Sequence, residues 1–235
     1  IGGGTSDFSL FQSGNDGVQI LANHGVRIGG TDFDRAISID RVMPSLGRGG
    51  LLRKQFGAGD TPVPPALYND LATWEKIPFL YTPQNVRMAK EMAQLAHDRV
   101  QLDRLVRVLE NELGHELAFA AERGKIAANT GGGDASIDLG LIEPGLSADL
   151  TAEHISTVLE PFAVHLRAAA NHTLTLADLE PDRVGRVLYV GGSSLMAIVP
   201  NSMRELFPTA EHSFSEVFTA VADGLAIAAD AVFDD

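Results

Sequence analysis

Three glycines followed by a hydroxyl and a carboxylate, Gly2-Gly3-Gly4-Thr5-Ser6-Asp7, are the residues of this 235-residue chain best suited to handling an anion. A backbone without side chains turns tightly and can bring its N–H groups close to a phosphate, where any Cβ would intrude. Thr5 and Asp7 add a hydroxyl and a carboxylate beside that anion. Taken alone, the trio fits a tight hairpin turn equally well. A second cluster, Val190-Gly191-Gly192-Ser193-Ser194, lies where a strand-like run gives way to a helix-like one. Unpaired N–H groups and the helix dipole favour an anion there by roughly 0.3–1 kcal/mol per contact. A capped helix with small residues for close packing is the plainer alternative. The cluster is not a Walker-A loop, because no Gly-Lys-Ser/Thr follows. Nor is it a dinucleotide fingerprint, because the third glycine spacing is absent.

Positioning these residues is the task of the surrounding elements. Residues 1–12 and 18–23 read as two strands joined by the turn Ser13-Gly14-Asn15-Asp16-Gly17. After Gly29-Gly30, Thr31 reads as the N-cap of a helix carrying Phe33, Ile37 and Val42. From Met43 to Pro83 the chain holds six prolines and little periodicity, although Trp74, Phe79 and Tyr81 imply packing. Residues 85–129 are helical in pattern, with Met88, Met92, Leu95, Leu102, Leu105, Val106 and Leu109 at helical spacing and a second helix from near Gly114. Residues 136–142 alternate as a strand, and Thr151 caps a helix that Pro161 bends or breaks. A strand over 186–190, a helix to about Phe207 stopped by Pro208, and a last helix over 215–231 complete the order. The pattern predicts an α/β core lobe over 1–40 and 130–235, with a mainly helical insert over 41–129.

Composition narrows the partners. A formal charge of −13, from 31 acids against 18 bases, argues against nucleic acid and against an anionic membrane surface. There is no cysteine, hence no disulfide framework or thiolate metal site. No apolar run approaches the roughly 18 residues of a membrane span, and no signal peptide is visible, so the cytoplasm is the expected location. A chain of this length buries roughly 70–75% of its unfolded surface, enough for a core without staples.

In combination the motifs resemble a family. Ile1-Gly2-Gly3-Gly4-Thr5-Ser6-Asp7 is similar to the second phosphate motif of the actin-like ATPases, specifically the DnaK (heat-shock seventy) chaperone class. Gly25-Val26-Arg27-Ile28-Gly29-Gly30-Thr31-Asp32-Phe33-Asp34 resembles that class's Gly-Gly-acidic-Asp-Phe-Asp segment, and Val190–Ser194 its adenosine motif. Glu122-Arg123-Gly124-Lys125 falls where its adenosine-facing helix lies, and Met43-Pro44-Ser45-Leu46-Gly47-Arg48-Gly49-Gly50 resembles the YegD-type members. The likeness runs nearly end to end and is loose between Leu51 and Val86.

The resemblance implies an actin-like (ribonuclease H-like) lobe, a mixed sheet flanked by helices, that takes Mg2+ with ATP or ADP. Gly2, Gly3 and Gly4 would line the β- and γ-phosphates, Thr5 would reach the γ-phosphate, and Asp7 would hold a magnesium-bound water or orient the attacking one. Glu122 and Lys125 would bond the ribose, Asn129 would lie near the base, and Gly191, Gly192 and Ser193 would pass under the adenosine and α-phosphate. Leu195 and Ile126 replace expected cations near the base and Phe218 an expected aspartate, which implies altered adenine affinity and selectivity.

The resemblance further implies an N-terminal lobe ahead of Ile1 carrying the other phosphate loop, with client polypeptides or co-chaperones as partners. On that expectation the full-length protein hydrolyses ATP and this chain alone is inactive. The alternatives are a non-catalytic nucleotide sensor, a filament-forming actin relative, or a small-molecule kinase of the same fold.

Other candidates are weaker. His115-Glu116 opens like a zinc-protease helix, but position 119 is phenylalanine. Scattered histidines fit surface or satisfied core roles. Asp32 and Asp34 read as helix caps or contacts to another lobe. Met88 and Met92 read as core, and Glu110, Glu112 and Glu116 as a solvated face.

Overall fold

Alternating apolar positions at the start of the chain, broken by a glycine-rich turn, fold as a hairpin in the computed structural model, which describes residues 1–14, 17–131 and 135–214. The elements run β1 (Ser6–Gly14), β2 (Gly17–Val26), α1 (Gly30–Ile37), β3 (Leu51–Arg53), β4 (Asp60–Pro62), α2 (Ala66–Leu71), α3 (Pro83–Leu95), α4 (Arg99–Glu110) and α5 (Gly114–Thr130). They continue as β5 (Ala135–Asp138), β6 (Ser147–Leu150), α6 (Ala152–Leu176), β7 (Arg186–Tyr189), α7 (Ile198–Leu206) and β8 (Glu211–Phe214). The chain is therefore α/β. It forms two compact units, one of Ile1–Asp32 with the described chain from Leu159 onward, the other of Phe33–Val158.

In the first unit β1 and β2 pair antiparallel, from Ser6 against Val26 to Gly14 against Gly17. The register slips between Leu10 and Phe11, where Leu21 is the extra residue of a bulge. β7 and β8 pair in parallel, which requires a crossover, and α7 supplies it. Arg167 of α6 ties α6 to α7 by reaching Glu205 at 3.1 Å, and it holds Glu160 at 2.9 Å. In place of the mixed sheet expected for the core, the described residues form separate two-stranded ladders, in this unit one antiparallel and one parallel.

In the second unit α3, α4 and α5 carry the expected apolar spacing inward, burying Met92, Leu102, Leu105, Val108, Leu109 and Leu117. Met88, expected beside Met92 in the core, stays 37% exposed. The proline-rich tract is packed. Tyr68 is buried and donates to the Leu46 carbonyl at 3.1 Å, while the Tyr81 hydroxyl accepts from the Gly114 amide at 3.0 Å. Two antiparallel hairpins, β3–β4 and β5–β6, complete this unit, so the tract read as mainly helical also carries strands.

Two local expectations change. Thr31 is not the cap of α1. The helix already includes Gly30, and Asp32 reaches back to accept from the Gly29 amide at 2.9 Å. Pro161 does not end α6, which runs unbroken through it for 25 residues. Thr151 does cap that helix, and reciprocally. Its hydroxyl accepts from the His154 amide at 3.1 Å, and the His154 ring accepts from the Thr151 amide at 3.2 Å. The last expected helix, over 215–231, and Phe218 lie outside the described residues.

Candidate functional site

Three glycine segments far apart in sequence meet in the first unit. Gly2, Gly3 and Gly4 form a loop closed by a bond from the Gly2 amide to the Thr5 carbonyl at 2.9 Å. On one side lies the turn into α1. The Gly30 amide donates to the Gly2 carbonyl at 3.0 Å, and the Thr31 amide and hydroxyl both donate to the Gly3 carbonyl at 2.8 Å. On the other side the loop after β7 approaches. The Ser193 hydroxyl donates to the Gly2 carbonyl at 3.0 Å, and the Ile1 amino group donates to the Val190 carbonyl at 2.6 Å.

Glycine is required at this meeting point. A Cβ on Gly29 would overlap the Gly3 backbone, and one on Gly30 would overlap the Ser193 hydroxyl. Gly191 takes φ of 87°, and a Cβ there would overlap the Ile1 backbone.

The polarity of the loop follows from peptide geometry. In a trans peptide the carbonyl and the next N–H point in opposite directions. With the carbonyls of Gly2 and Gly3 held inward, the amides of Gly3 and Gly4 are turned outward. A Cβ at either residue would meet nothing within 4 Å, and neither amide bonds a described residue. Two successive N–H groups with no described partner, on residues with open space at the Cβ position, suit an anion cradle.

Thr5 and Asp7 stand next to it. The Thr5 hydroxyl donates to an Asp7 carboxylate oxygen at 3.3 Å, and both side chains are exposed. Ser6, between them, points the other way. It is fully buried and donates to the Ile28 carbonyl at 2.7 Å. Past β7 the chain makes a single turn of 3-10 helix over Gly192–Leu195, with the Ser194 amide and hydroxyl both donating to the Gly191 carbonyl at 3.0 and 2.6 Å. The direct strand-to-helix junction expected there is thus an intervening turn, with α7 starting only at Ile198.

Glu122, Lys125 and Asn129 lie on α5, in the second unit. Glu122 and Asn129 are partly exposed. Lys125 is only 5% exposed, and its ammonium sits 2.7 Å from an Asp34 carboxylate oxygen. That contact is an ion pair lacking well-aimed hydrogen-bond geometry at the oxygen. Burial raises the Asp34 pKa. The Lys125 charge opposes the rise and the Glu122 charge adds to it. A lysine held this way does not reach into solvent for a sugar hydroxyl.

Sequence reasoning missed three participants: Thr31 as a clamp on Gly3, Ser193 as a donor to Gly2 rather than a ligand contact only, and Asp34 as the partner of Lys125. Thr31 and Asp34 sit three residues apart in the Gly25–Asp34 segment already singled out. Which side chain each would meet depends on contacts far along the chain.

Among the described residues no group of three or more histidine, aspartate or glutamate side chains is placed to hold a metal ion, and no helix is long and apolar enough to cross a membrane.

No family model matches the chain. Over 121 residues, 52% of its length, it is 29% identical to the chaperone protein HscA of Pectobacterium carotovorum subsp. carotovorum (strain PC1), of which the match spans 19%. The chain is thus similar, over half its length, to a small part of a chaperone.

Proposed function

We propose that this chain is the second, ATP-binding lobe of a DnaK-like chaperone of the YegD type, with an actin-like core over 1–40 and 130–235 and an insert over 41–129. The observation that carries the proposal is the outward pair of amides at Gly3 and Gly4, built where three glycine segments converge. Likeness to part of the chaperone HscA supports the same reading. In it the Gly2–Gly4 loop binds the β- and γ-phosphates, Gly191, Gly192 and Ser193 pass beneath the adenosine, and Thr5 meets the γ-phosphate.

Magnesium fits the donor set. This ion keeps most of its waters and is usually bound through one or two carboxylates plus substrate phosphates, so the exposed Asp7 carboxylate suffices without an all-protein cage. Asp7 and the Thr5 hydroxyl would hold its hydration shell, and the ion would neutralise phosphate charge. On this reading Glu122 would bond the ribose and Asn129 would lie near the base. Lys125 joins them only by leaving Asp34.

In the full-length protein an N-terminal lobe supplies the opposing phosphate loop, and in-line hydrolysis shifts lobe closure. Co-chaperones or client polypeptides are the partners. Purified as this chain, the protein is expected to turn over ATP negligibly and to bind it weakly. Steady turnover comparable to an intact chaperone overturns the reading.

One observation favours a nucleotide sensor as the second reading. Leu195 and Ile126, which replace the expected cations near the base, are both half exposed and apolar. ATP binding by the full-length protein without hydrolysis selects the sensor.

A further inference from the structure

Seven histidines are scattered along the chain, and most have a partner elsewhere in the fold. His97 meets Asp60, His154 caps α6, His165 meets the Pro161 carbonyl, and His212 lies between the Tyr189 hydroxyl and the Phe207 carbonyl. His115 sits edge-on to Trp74. The remaining two, His24 and His172, have each other. Their ring centroids are 4.6 Å apart with the planes crossed at 78°, and no nitrogen of either ring bonds a described residue.

Local structure brings these rings together within the first unit. Alternation along β2 puts Ala22, His24 and Val26 on one face, where Ala22 is buried and His24 half-buried. On α6 the helical repeat buries Ala169, Ala170, Thr173 and Leu174 and leaves His172 exposed at the rim of that stripe. The pair is therefore anchored by its backbones and open to water on one side.

An edge-on aromatic contact is the plainer account of such a pair, and it is satisfied by any centroid separation from about 4.5 to 7 Å. The observed value lies at the short end, where a second chemistry applies. An imidazole held through one nitrogen at about 2.0–2.1 Å has its centroid about 3.2 Å from the ion, so two rings at right to tetrahedral angles stand about 4.5–5.2 Å apart. The last torsion of histidine is soft, so turning one ring brings a nitrogen of each onto a shared point.

We infer that His24 and His172 together ligate one divalent transition-metal ion of the Zn2+, Ni2+ or Cu2+ class, which clips β2 to α6. Imidazole nitrogens suit these borderline ions, whereas Mg2+ and Ca2+ take oxygen ligands. Among the described residues no further histidine or carboxylate joins the pair, so water completes the shell. The chain has no cysteine to compete for such an ion, and its charge of −13 draws cations to the surface. This site uses neither Asp7 nor the glycine loop, and it stands or falls separately from nucleotide binding.

The test adds Zn2+ to this chain while long-range proton–nitrogen spectra record the seven imidazole rings. The ring signals of His24 and His172 should move together and saturate at one ion per chain. Zn2+ at about 100 times its dissociation constant should also raise the melting temperature by about 5 °C or more. His24→Phe and His172→Phe keep an edge-on ring and remove the nitrogens. Each should retain its native circular dichroism and lose both responses, whereas His165→Gln, on the same helix, should keep them. If neither ring moves, or only one does, the inference is overturned. Zn2+ responses that survive both phenylalanine variants overturn it as well, because the ion then sits elsewhere on the acidic surface.

Discussion

Thr31 holds the carbonyl oxygen of Gly3 twice, with its amide and its hydroxyl each at 2.8 Å. This grip fixes which way the Gly3–Gly4 peptide faces, and so sends the Gly4 amide outward. Thr31→Val keeps the shape and removes one donor. It should cost about 1 kcal/mol in urea denaturation, and it should speed hydrogen exchange at the Gly4 amide beyond what that global loss explains. Unchanged stability and exchange would mean that the second bond does not orient the loop.

Gly29 and Gly4 give opposite expectations for one added methyl group. On Gly29 the methyl would overlap the Gly3 backbone, and Gly29→Ala should destabilise by about 1–3 kcal/mol, as overpacking does. On Gly4 it meets nothing within 4 Å, so Gly4→Ala should leave the melting temperature within a degree or two and weaken only anion binding. Differential scanning calorimetry separates the two. A large loss at Gly4 contradicts the open cradle.

Burial raises the pKa of all three tyrosines. Tyr68 and Tyr81 are shifted upward, and Tyr189 is pushed up to about 12. The Tyr189 hydroxyl also meets His212 Nδ1 at 2.7 Å. Because His212 Nε2 faces the Phe207 carbonyl, which can only accept, Nδ1 is left as the acceptor for Tyr189. An acid whose folded pKa exceeds its unfolded one stabilises fully below the unfolded value and loses that contribution as pH rises through the folded value. Ultraviolet titration should therefore show less tyrosinate at pH of about 10 than an unfolded chain, which is half ionised there. As much tyrosinate there as in the unfolded chain, with circular dichroism still native, refutes the burial of these hydroxyls.

Asp34 gives the acid-side counterpart. Its raised pKa means that the folded state binds the proton more tightly, so its contribution is greatest below about pH 4 and falls as pH rises through the folded value. Asp34→Asn removes that dependence. Loss of the Lys125 partner adds an offset that stays constant while the lysine stays charged. The stability of the native chain minus that of the variant should thus decline with rising pH across the titration of Asp34. A difference that grows with pH would show a carboxylate stabilised in its charged form by Lys125.

Much of the fold was legible because its determinants are local. The first hairpin follows from alternation and the Gly14–Gly17 turn, and the helices over 83–130 follow from 3.6-residue spacing. The motif residues 2–7, 29–31 and 191–193 were legible as glycines that must make room, and the structure brings these three segments together. Partners set by distant chain were not legible. Nothing in the spacing says that Thr31 spends its hydroxyl on Gly3 instead of capping α1, or that Lys125 is held by Asp34. Pro161 reads as a breaker because proline removes one helical bond, yet Leu159, Ala163 and Leu166, buried on either side of it, hold α6 together.

The central claim is that the outward amides of the Gly2–Gly4 loop bind nucleotide phosphate. It is tested most directly by recording amide proton–nitrogen spectra of this chain while Mg-ADP is added, a method that detects weak binding residue by residue. The largest saturable shifts are predicted at Gly3, Gly4 and Thr5, with smaller ones at Gly191, Gly192 and Ser193, and the shifts at positions 3 and 4 should weaken in Gly4→Ala. Saturable shifts that leave residues 3–5 unmoved, or no saturable shift in either glycine segment, would contradict the account.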